Sequence, residues 1–255
     1  MTKLSINLNK IALIRNARDT LQPDPCEFAL SVLRYGAHGV TVHPRPDQRH
    51  IRAQDCTALR QVVSQELNVE GNPFAGATPS SRGGVEDYPG FMALVERSRP
   101  DQVTLVPDAD AQLTSDHGFD IARDGERLAP VISQLREWGM RVSLFMDPDP
   151  EQIARAAQTG AHRIELYTEH YARAHAQGDF AGALAQYQKA AACARQHGLE
   201  VNAGHDLNLA NLPDFRIEGL EEVSIGHAFT IDALRFGLQS AVERYLEALQ
   251  AAAAG

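Results

Sequence analysis

Short runs rich in β-branched and apolar residues recur along the chain, each followed by a longer stretch with helical spacing. That alternation predicts a parallel sheet whose strands are joined by crossover helices. The strand-like runs are LSINLN (4–9), GVTVHP (39–44), NVEG (68–71), QVTLVP (102–107), RVSLFMD (141–147), RIELYT (163–168), EVNAGH (200–205) and EVSIGH (222–227). Between them lie helical patterns such as PCEFALSVLRYG, DCTALRQVVSQ, PGFMALVERS, ERLAPVISQLREWG, PEQIARAAQTG and GALAQYQKAAACARQHG, and the longest helix is expected from Thr230 to Ala253. Several patterns end in glycine, a common helix terminator. Eight even repeats with right-handed crossovers predict a (β/α)8 TIM barrel spanning 1–255 as a single domain. The alternative is a doubly wound nucleotide-binding sheet, but no GxGxxG follows the first strand and no P-loop occurs. A Gly/Pro/Ser-rich loop is expected at 71–88 on the catalytic side, and a frayed alanine tail at 251–255.

Composition narrows the class. At 255 residues the chain has the length at which such barrels close as one unit, and its 44% hydrophobic and 22% charged residues are those of an ordinary globular protein. A formal charge of −9 argues against nucleic acid as a partner, because that affinity comes from clustered Lys and Arg. Small phosphates remain compatible, since a few oriented cations make a local positive site. Cys26, Cys56 and Cys193 are odd in number and contain no CxxC, so neither a disulfide framework nor a zinc site is indicated. The opening MTKLSINLNK lacks an apolar signal segment, and no apolar run nears the roughly 20 residues that cross a bilayer. A cytoplasmic protein with no membrane partner is expected.

In barrels of this kind chemistry gathers at the carboxyl ends of the strands. His43 ends the second strand and Glu70 the third, Glu165 lies in the sixth, and His205 and His227 end the seventh and eighth. In the first strand Leu4, Ile6 and Leu8 alternate with Ser5, Asn7 and Asn9, which directs the polar set to the barrel axis. In the sixth, Ile164 and Leu166 are likewise separated from Arg163, Glu165 and Tyr167; the orientation of His205 and His227 is not set by period alone. Imidazoles and a desolvated Glu can move several protons in one reaction. The segment HPRPDQRH places Arg45, Arg49 and His50 on the loop above that ring, where guanidinium suits phosphate oxygens. Arg15, Asn16 and Arg18, read as the loop after the first strand, add donors. Gly204 and Gly226 stand beside His205 and His227 and allow close backbone approach to an anion. His38, His117, His162, His170, His175 and His197 are read as structural.

The strings INLNKIALIRNAR, GVTVHPRPDQRHI, NVEG, LVP with LTSDHGFD, VSLFMD, IEL, VNAGHDL and SIGHA, in this order and spacing, resemble the pyridoxine 5'-phosphate synthase family over nearly the whole chain. The resemblance implies condensation of 1-deoxy-D-xylulose 5-phosphate with 3-amino-2-oxopropyl phosphate into pyridoxine 5'-phosphate, phosphate and water, with no metal or organic cofactor. It implies His43, Glu70 and His205 as acid/base groups and Glu165 as an electrostatic stabiliser. Asn7, Arg18, Asp206, Gly226 and His227 would hold the amino-ketone phosphate, and Arg45, His50 and Thr114 the deoxyxylulose phosphate. A symmetric homo-oligomer built from dimers, up to an octamer, is implied as well, with the apolar-striped last helix as one interface. The chain departs from the family at Asn9 and Lys10, where Asp and His are usual, and at Asp206, where Gly is usual; the loop after Glu70 is also long. Two other readings stay open: another sugar-phosphate aldolase, epimerase or isomerase on the same barrel, with or without a divalent metal, and a non-catalytic phosphate-binding paralogue.

Overall fold

The computed structural model of the chain describes residues 1–18, 20–109 and 112–254. Among these, eight parallel strands make up the main sheet: β1 (Lys3–Asn7), β2 (Gly39–Val42), β3 (Glu66–Gly71), β4 (Gln102–Leu105), β5 (Arg141–Met146), β6 (Arg163–Tyr167), β7 (Glu200–Gly204) and β8 (Leu220–Ile225). Because β1 pairs with β2 on one side and β8 on the other, the sheet closes into a barrel. Each strand falls within or beside one of the eight runs expected from the sequence. The fold is a single-domain (β/α)8 TIM barrel.

The alternation along the strands explains why it closes. Leu4 and Ile6 of β1, Val40 and Val42 of β2, and Ile164 and Leu166 of β6 are fully buried within the apolar cluster formed with the surrounding helices. Each such side chain contributes about 1.5–3 kcal/mol on burial. The intervening residues face the axis. Thr104 on β4 reaches to within 3.5 Å of the Glu165 carboxylate on β6, skipping β5, which requires a path through the barrel interior. Ser5 and Thr41 hydroxyls meet at 2.7 Å, and Thr104 donates to Asn68 at 3.1 Å. Branched aliphatic residues usually fill this space. Here hydroxyls and amides take that place, some paired with one another as above and others, Gln102 Nε2, Ser143 Oγ and Asn202 Nδ2, buried without a hydrogen-bond partner among the described residues, so the polar lining of the carboxyl end continues down the axis.

Three local departures from expectation bear on the site. First, β1 stops at Asn7 and a helix begins at once, Asn9–Asn16. The Asn7 side chain accepts the Asn9 backbone N–H at 3.0 Å and so turns the chain out of the sheet. Arg15 and Asn16 therefore stand on a helix and not on a loop. Second, the last helical stretch is two helices, His227–Phe236 and Leu238–Ala254, separated by Gly237 at φ +81°. The alanines of the tail are helical through Ala254, while Gly255 lies outside the described residues. Third, the loop at 71–88 contains a small antiparallel hairpin, Ala77–Thr78 with Tyr88–Pro89. It packs on the neighbouring 43–54 segment, where Gln48 donates to the Glu86 carbonyl at 2.8 Å. Among the described residues no helix is long and apolar enough to cross a membrane.

Candidate active site

A cavity of about 460 Å³ opens at the carboxyl end of the barrel. Its wall includes Asn7, Asn9, Lys10, His43, Arg45, His50, Glu70, Thr114, Glu165, His205, Asp206, Gly226 and His227, so thirteen of the fourteen residues named with the family resemblance converge on one space. Arg18 does not. It is exposed in the turn after the helix Asn9–Asn16 and is absent from the cavity wall. Because that helix starts directly after β1, Arg18 is carried a full helix length beyond the strand end. Its expected contact with the amino-ketone phosphate therefore rests on the resemblance alone.

The centre of the site is a pair of buried groups at adjacent strand ends. His43 Nδ1 lies 3.7 Å from Glu70 Oε2, and both side chains are about nine-tenths buried. Burial, reinforced by Arg45, His50 and Arg49, holds the His43 imidazole well below its ordinary pKa. Burial and the nearby Glu165, Asp108 and Glu222 carboxylates push Glu70 well above the usual carboxylate range, against an opposing pull from Arg45. The two shifts agree. Both shifts favour the uncharged forms, so the barrel end sets an imidazole nitrogen beside a carboxyl group between which a proton can be passed. Across the barrel Glu165 is raised to about 7 by burial, with His205 and the Thr104 hydroxyl lowering it in part. A carboxyl poised there can both give and take a proton at working pH.

Backbone and side-chain contacts fix these groups. The His43 N–H donates to Asn9 Oδ1 at 2.9 Å, so Asn9, displaced from the strand into the first helical turn, secures the β2 end. Asn16 Nδ2 donates to the His50 carbonyl at 2.7 Å and to that of Arg49 at 3.1 Å. Arg15 donates to the same His50 carbonyl at 3.0 Å while forming a bidentate pair with Asp55 at 2.7 and 2.8 Å. Arg15 and Asn16 thus build the His50 loop and do not line the cavity. His50 Nδ1 accepts the Ile51 N–H at 2.9 Å, and burial with Arg45, Lys10 and Arg49 lowers its pKa to about 3. It is a neutral ring in this site.

The cations cluster on the same side. Arg45 and Arg49 both line the cavity, and both donate to the Gln112 carbonyl, at 3.2 and 2.9 Å. Arg45 is ion-paired with Asp108, which also accepts from Ser115 at 2.8 Å. The helices Asn9–Asn16 and His227–Phe236 each begin on the cavity wall with no side-chain bond from the N-cap residue, Leu8 or Gly226, and although Asn7 accepts the Asn9 N–H, the two N-termini add partial positive charge there. An added Cβ at Gly226 would come within 3.0 Å of Asn7, so glycine there makes room for that amide.

Asp108, Ser115, Phe145 and Ser224 were not singled out from the sequence, although all but Asp108 line the cavity and Asp108 anchors Arg45. Asp108 sits directly after the β4 run and was readable only as part of a loop. No residue of the loop at 72–88 reaches the cavity wall. The stretch from Asp108 to Asp124 brings Leu113, Thr114 and Ser115 to the cavity; its Asp110 and Ala111 lie outside the described residues. Several of the remaining histidines have structural partners: His38 and His162 accept the backbone N–H of Leu4 and Val142 at 3.1 and 3.0 Å.

Gly204 ties the β7 end to this chemistry. A Cβ added there would lie 2.3 Å from Glu165 Oε1 and 3.4 Å from the Ser224 carbonyl. Gly204→Ala is therefore expected to displace the Glu165 carboxyl by about an ångström, a shift that lowers kcat about 100-fold while circular dichroism stays that of the folded chain. An unchanged kcat would show that the Glu165 position is not critical.

Comparison with known proteins gives the same picture at the level of the whole chain. The family model described as "Pyridoxal phosphate biosynthesis protein PdxJ" matches residues 4–251. A pyridoxine 5'-phosphate synthase of Xanthomonas axonopodis pv. citri is 52% identical over 254 residues, covering 98% of this chain and 97% of its own. One from Porphyromonas gingivalis is 48% identical over 251 residues, covering 98% and 99%. Among solved structures, 3-hexulose-6-phosphate synthase from Salmonella typhimurium superposes with a TM-score of 0.63 at 15% identity over 99% of this chain and 100% of its own. The 3-keto-L-gulonate-6-phosphate decarboxylase of Vibrio cholerae gives 0.62 at 12% identity, covering 98% and 97%. At such identities the structural likeness speaks for the barrel alone. Matches at half identity across essentially all of the sequence speak for descent, and this chain belongs to the pyridoxal phosphate biosynthesis protein PdxJ family.

Proposed function

We propose that the chain is a pyridoxine 5'-phosphate synthase of the transferase class, condensing 3-amino-2-oxopropyl phosphate with 1-deoxy-D-xylulose 5-phosphate to form pyridoxine 5'-phosphate, inorganic phosphate and water. The observation that carries this reading is the buried His43–Glu70 pair, 3.7 Å apart, facing Glu165 and His205 around a single cavity edged by cations. Closing an aromatic ring from two ketones and an amine requires imine formation, eliminations and repeated proton transfers. Groups of intermediate pKa perform these steps better than one strong nucleophile.

In this reading His43 takes the proton as the amine adds to the ketone, and Glu70, holding a proton beside it, returns one to the departing oxygen. His205 serves the later transfers from the opposite wall. Glu165 steadies the positive charge that develops on the imine nitrogen, and its position between charged and neutral forms lets it do so without a fixed cost. Arg45, His50 and Thr114 hold one phosphate. Asn7, Gly226 and His227, with the helix N-terminus behind them, hold the other. The chain would work in the cytoplasm, which fits three free cysteines, and as a homo-oligomer. The exposed Leu13 and Ile14 on one helix and Ile231 and Leu234 on its neighbour would supply the apolar contact.

Incubating the purified chain with both phosphorylated substrates, with and without chelator, and following product by absorbance and chromatography tests the proposal. Product in both conditions is expected. Absence of product while either phosphate still raises the thermal midpoint would move the reading to another sugar phosphate.

A further inference from the structure

His205 is held in an unusual way. It and Asp206 are consecutive non-glycine residues with left-handed backbones, at φ +84° and +61°. Each such residue costs on the order of 1 kcal/mol and persists only where surrounding contacts enforce it. The contacts are present. The buried Thr168 hydroxyl donates to the carbonyls of Gly204, at 2.7 Å, and of His205. Asn211 Nδ2 donates to the Asp206 carbonyl at 3.1 Å, and Asn211 is itself fixed by the Tyr171 hydroxyl, which donates to its carbonyl at 2.8 Å. The result of this forced turn is that Asp206 Oδ2 comes within 3.2 Å of His205 Nδ1, while His205 Nε2 faces the Thr114 hydroxyl at 3.0 Å and the Tyr167 ring packs edge-on at 5.0 Å.

We propose that Asp206 is a positioning residue that accepts the His205 Nδ1–H and so presents Nε2 to the cavity, and is not a ligand of a substrate phosphate. A carboxylate on the cavity wall would repel a phosphate, whereas a carboxylate hydrogen-bonded to an imidazole fixes its tautomer and orientation. The charges around the pair fit this assignment. His205, His227 and Lys10 all act to keep Asp206 ionised, with the hydrogen bond to His205 foremost. Glu165 and Tyr167 are the other titratable groups facing the ring. With Nδ1–H retained on Asp206, Nε2 accepts a proton in one step and returns it in another, and the Thr114 hydroxyl, donating to Nε2 in the free protein, is displaced when substrate enters. Lys10 near Asp206 balances its charge at the rim.

The inference rests on the synthase reading for its kinetics but not for its geometry. The test is therefore a long-range 1H–15N spectrum of the 15N-histidine-labelled free protein at alkaline pH, with His205 assigned by its loss in His205→Gln. The wild type is expected to show the Nδ1–H tautomer. Asp206→Gly, which also removes a left-handed non-glycine residue and so keeps or raises the thermal midpoint, is expected to move it to Nε2–H or a mixture. Asp206→Asn, which keeps an acceptor oxygen, is expected to retain it. In turnover, Asp206→Gly should lower kcat about tenfold, part of what a general acid–base group contributes, with KM for both phosphates within about twofold. An unchanged tautomer in Asp206→Gly overturns the proposal, as does a raised phosphate KM at constant kcat. If the wild type forms no pyridoxine 5'-phosphate yet the tautomer still switches, the synthase reading fails and the positioning role stands.

Discussion

Replacing His43 with Asn is expected to lower product formation about 1,000-fold, within the range for loss of a general acid–base group, while the thermal midpoint moves by only a few degrees. The asymmetry follows from the geometry. His43 is almost wholly buried, but its backbone N–H is held by Asn9, and its ring contacts Glu70 and Asp108 only at 3.7 and 3.8 Å, too long for strong hydrogen bonds. Little folding energy rests on the imidazole. Asn retains polarity and most of the volume but has no basic nitrogen. Rapid-quench measurement of product, beside a thermal melt, separates the two effects. Turnover within tenfold of the wild type would remove His43 from the mechanism.

The largest effect on stability is expected away from the chemistry. Arg15→Met should cost about 3–5 kcal/mol, the penalty for removing one partner of a buried ion pair. Arg15 and Asp55 are both buried and joined by two hydrogen bonds, and Asp55 Oδ2 also caps the next helix by accepting the Arg52 N–H at 2.7 Å. Without the guanidinium, a buried carboxylate retains only its helix cap. Methionine fills the space of the stem but supplies no donor. Because Arg15 also holds the His50 carbonyl, KM for the sugar phosphate should rise as well. Urea titration reads the first effect and steady-state kinetics the second. A loss below about 1 kcal/mol, as for an exposed pair, would contradict the buried assignment.

The barrel was legible because its outward face and its helices carry the apolar periodicities that closure needs, and the strand ends were legible because His43, Glu70, Glu165 and His205 interrupt that pattern. What was hidden depends on single hydrogen bonds and backbone angles. Ser5, Asn7 and Asn9 alternate as a strand would, yet the ladder ends at Asn7 because its own side chain captures the Asn9 N–H. That one turn moves Arg15 and Asn16 onto a helix and carries Arg18 away from the cavity. The break at Gly237 was hidden because apolar spacing continues on both sides of it, and a glycine inside a helical pattern is tolerated often enough to be read through. Asp108 was missed because an acid in a loop is ordinary until Arg45 is seen against it. The contact of Asp206 Oδ2 with His205 Nδ1 was hidden because it depends on two successive left-handed backbones that no residue pattern announces.

The central claim is that one ring of proton-transfer groups closes the pyridine ring from two phosphorylated ketones. The most direct measurement is a single-turnover reaction with the chelator-treated protein in excess over both substrates, quantifying pyridoxine 5'-phosphate and inorganic phosphate by 31P NMR after quench. One equivalent of each per limiting substrate, lost together in His43→Asn, is the expected result. Phosphate released without pyridoxine 5'-phosphate, or product formed at an undiminished rate by His43→Asn, would contradict it.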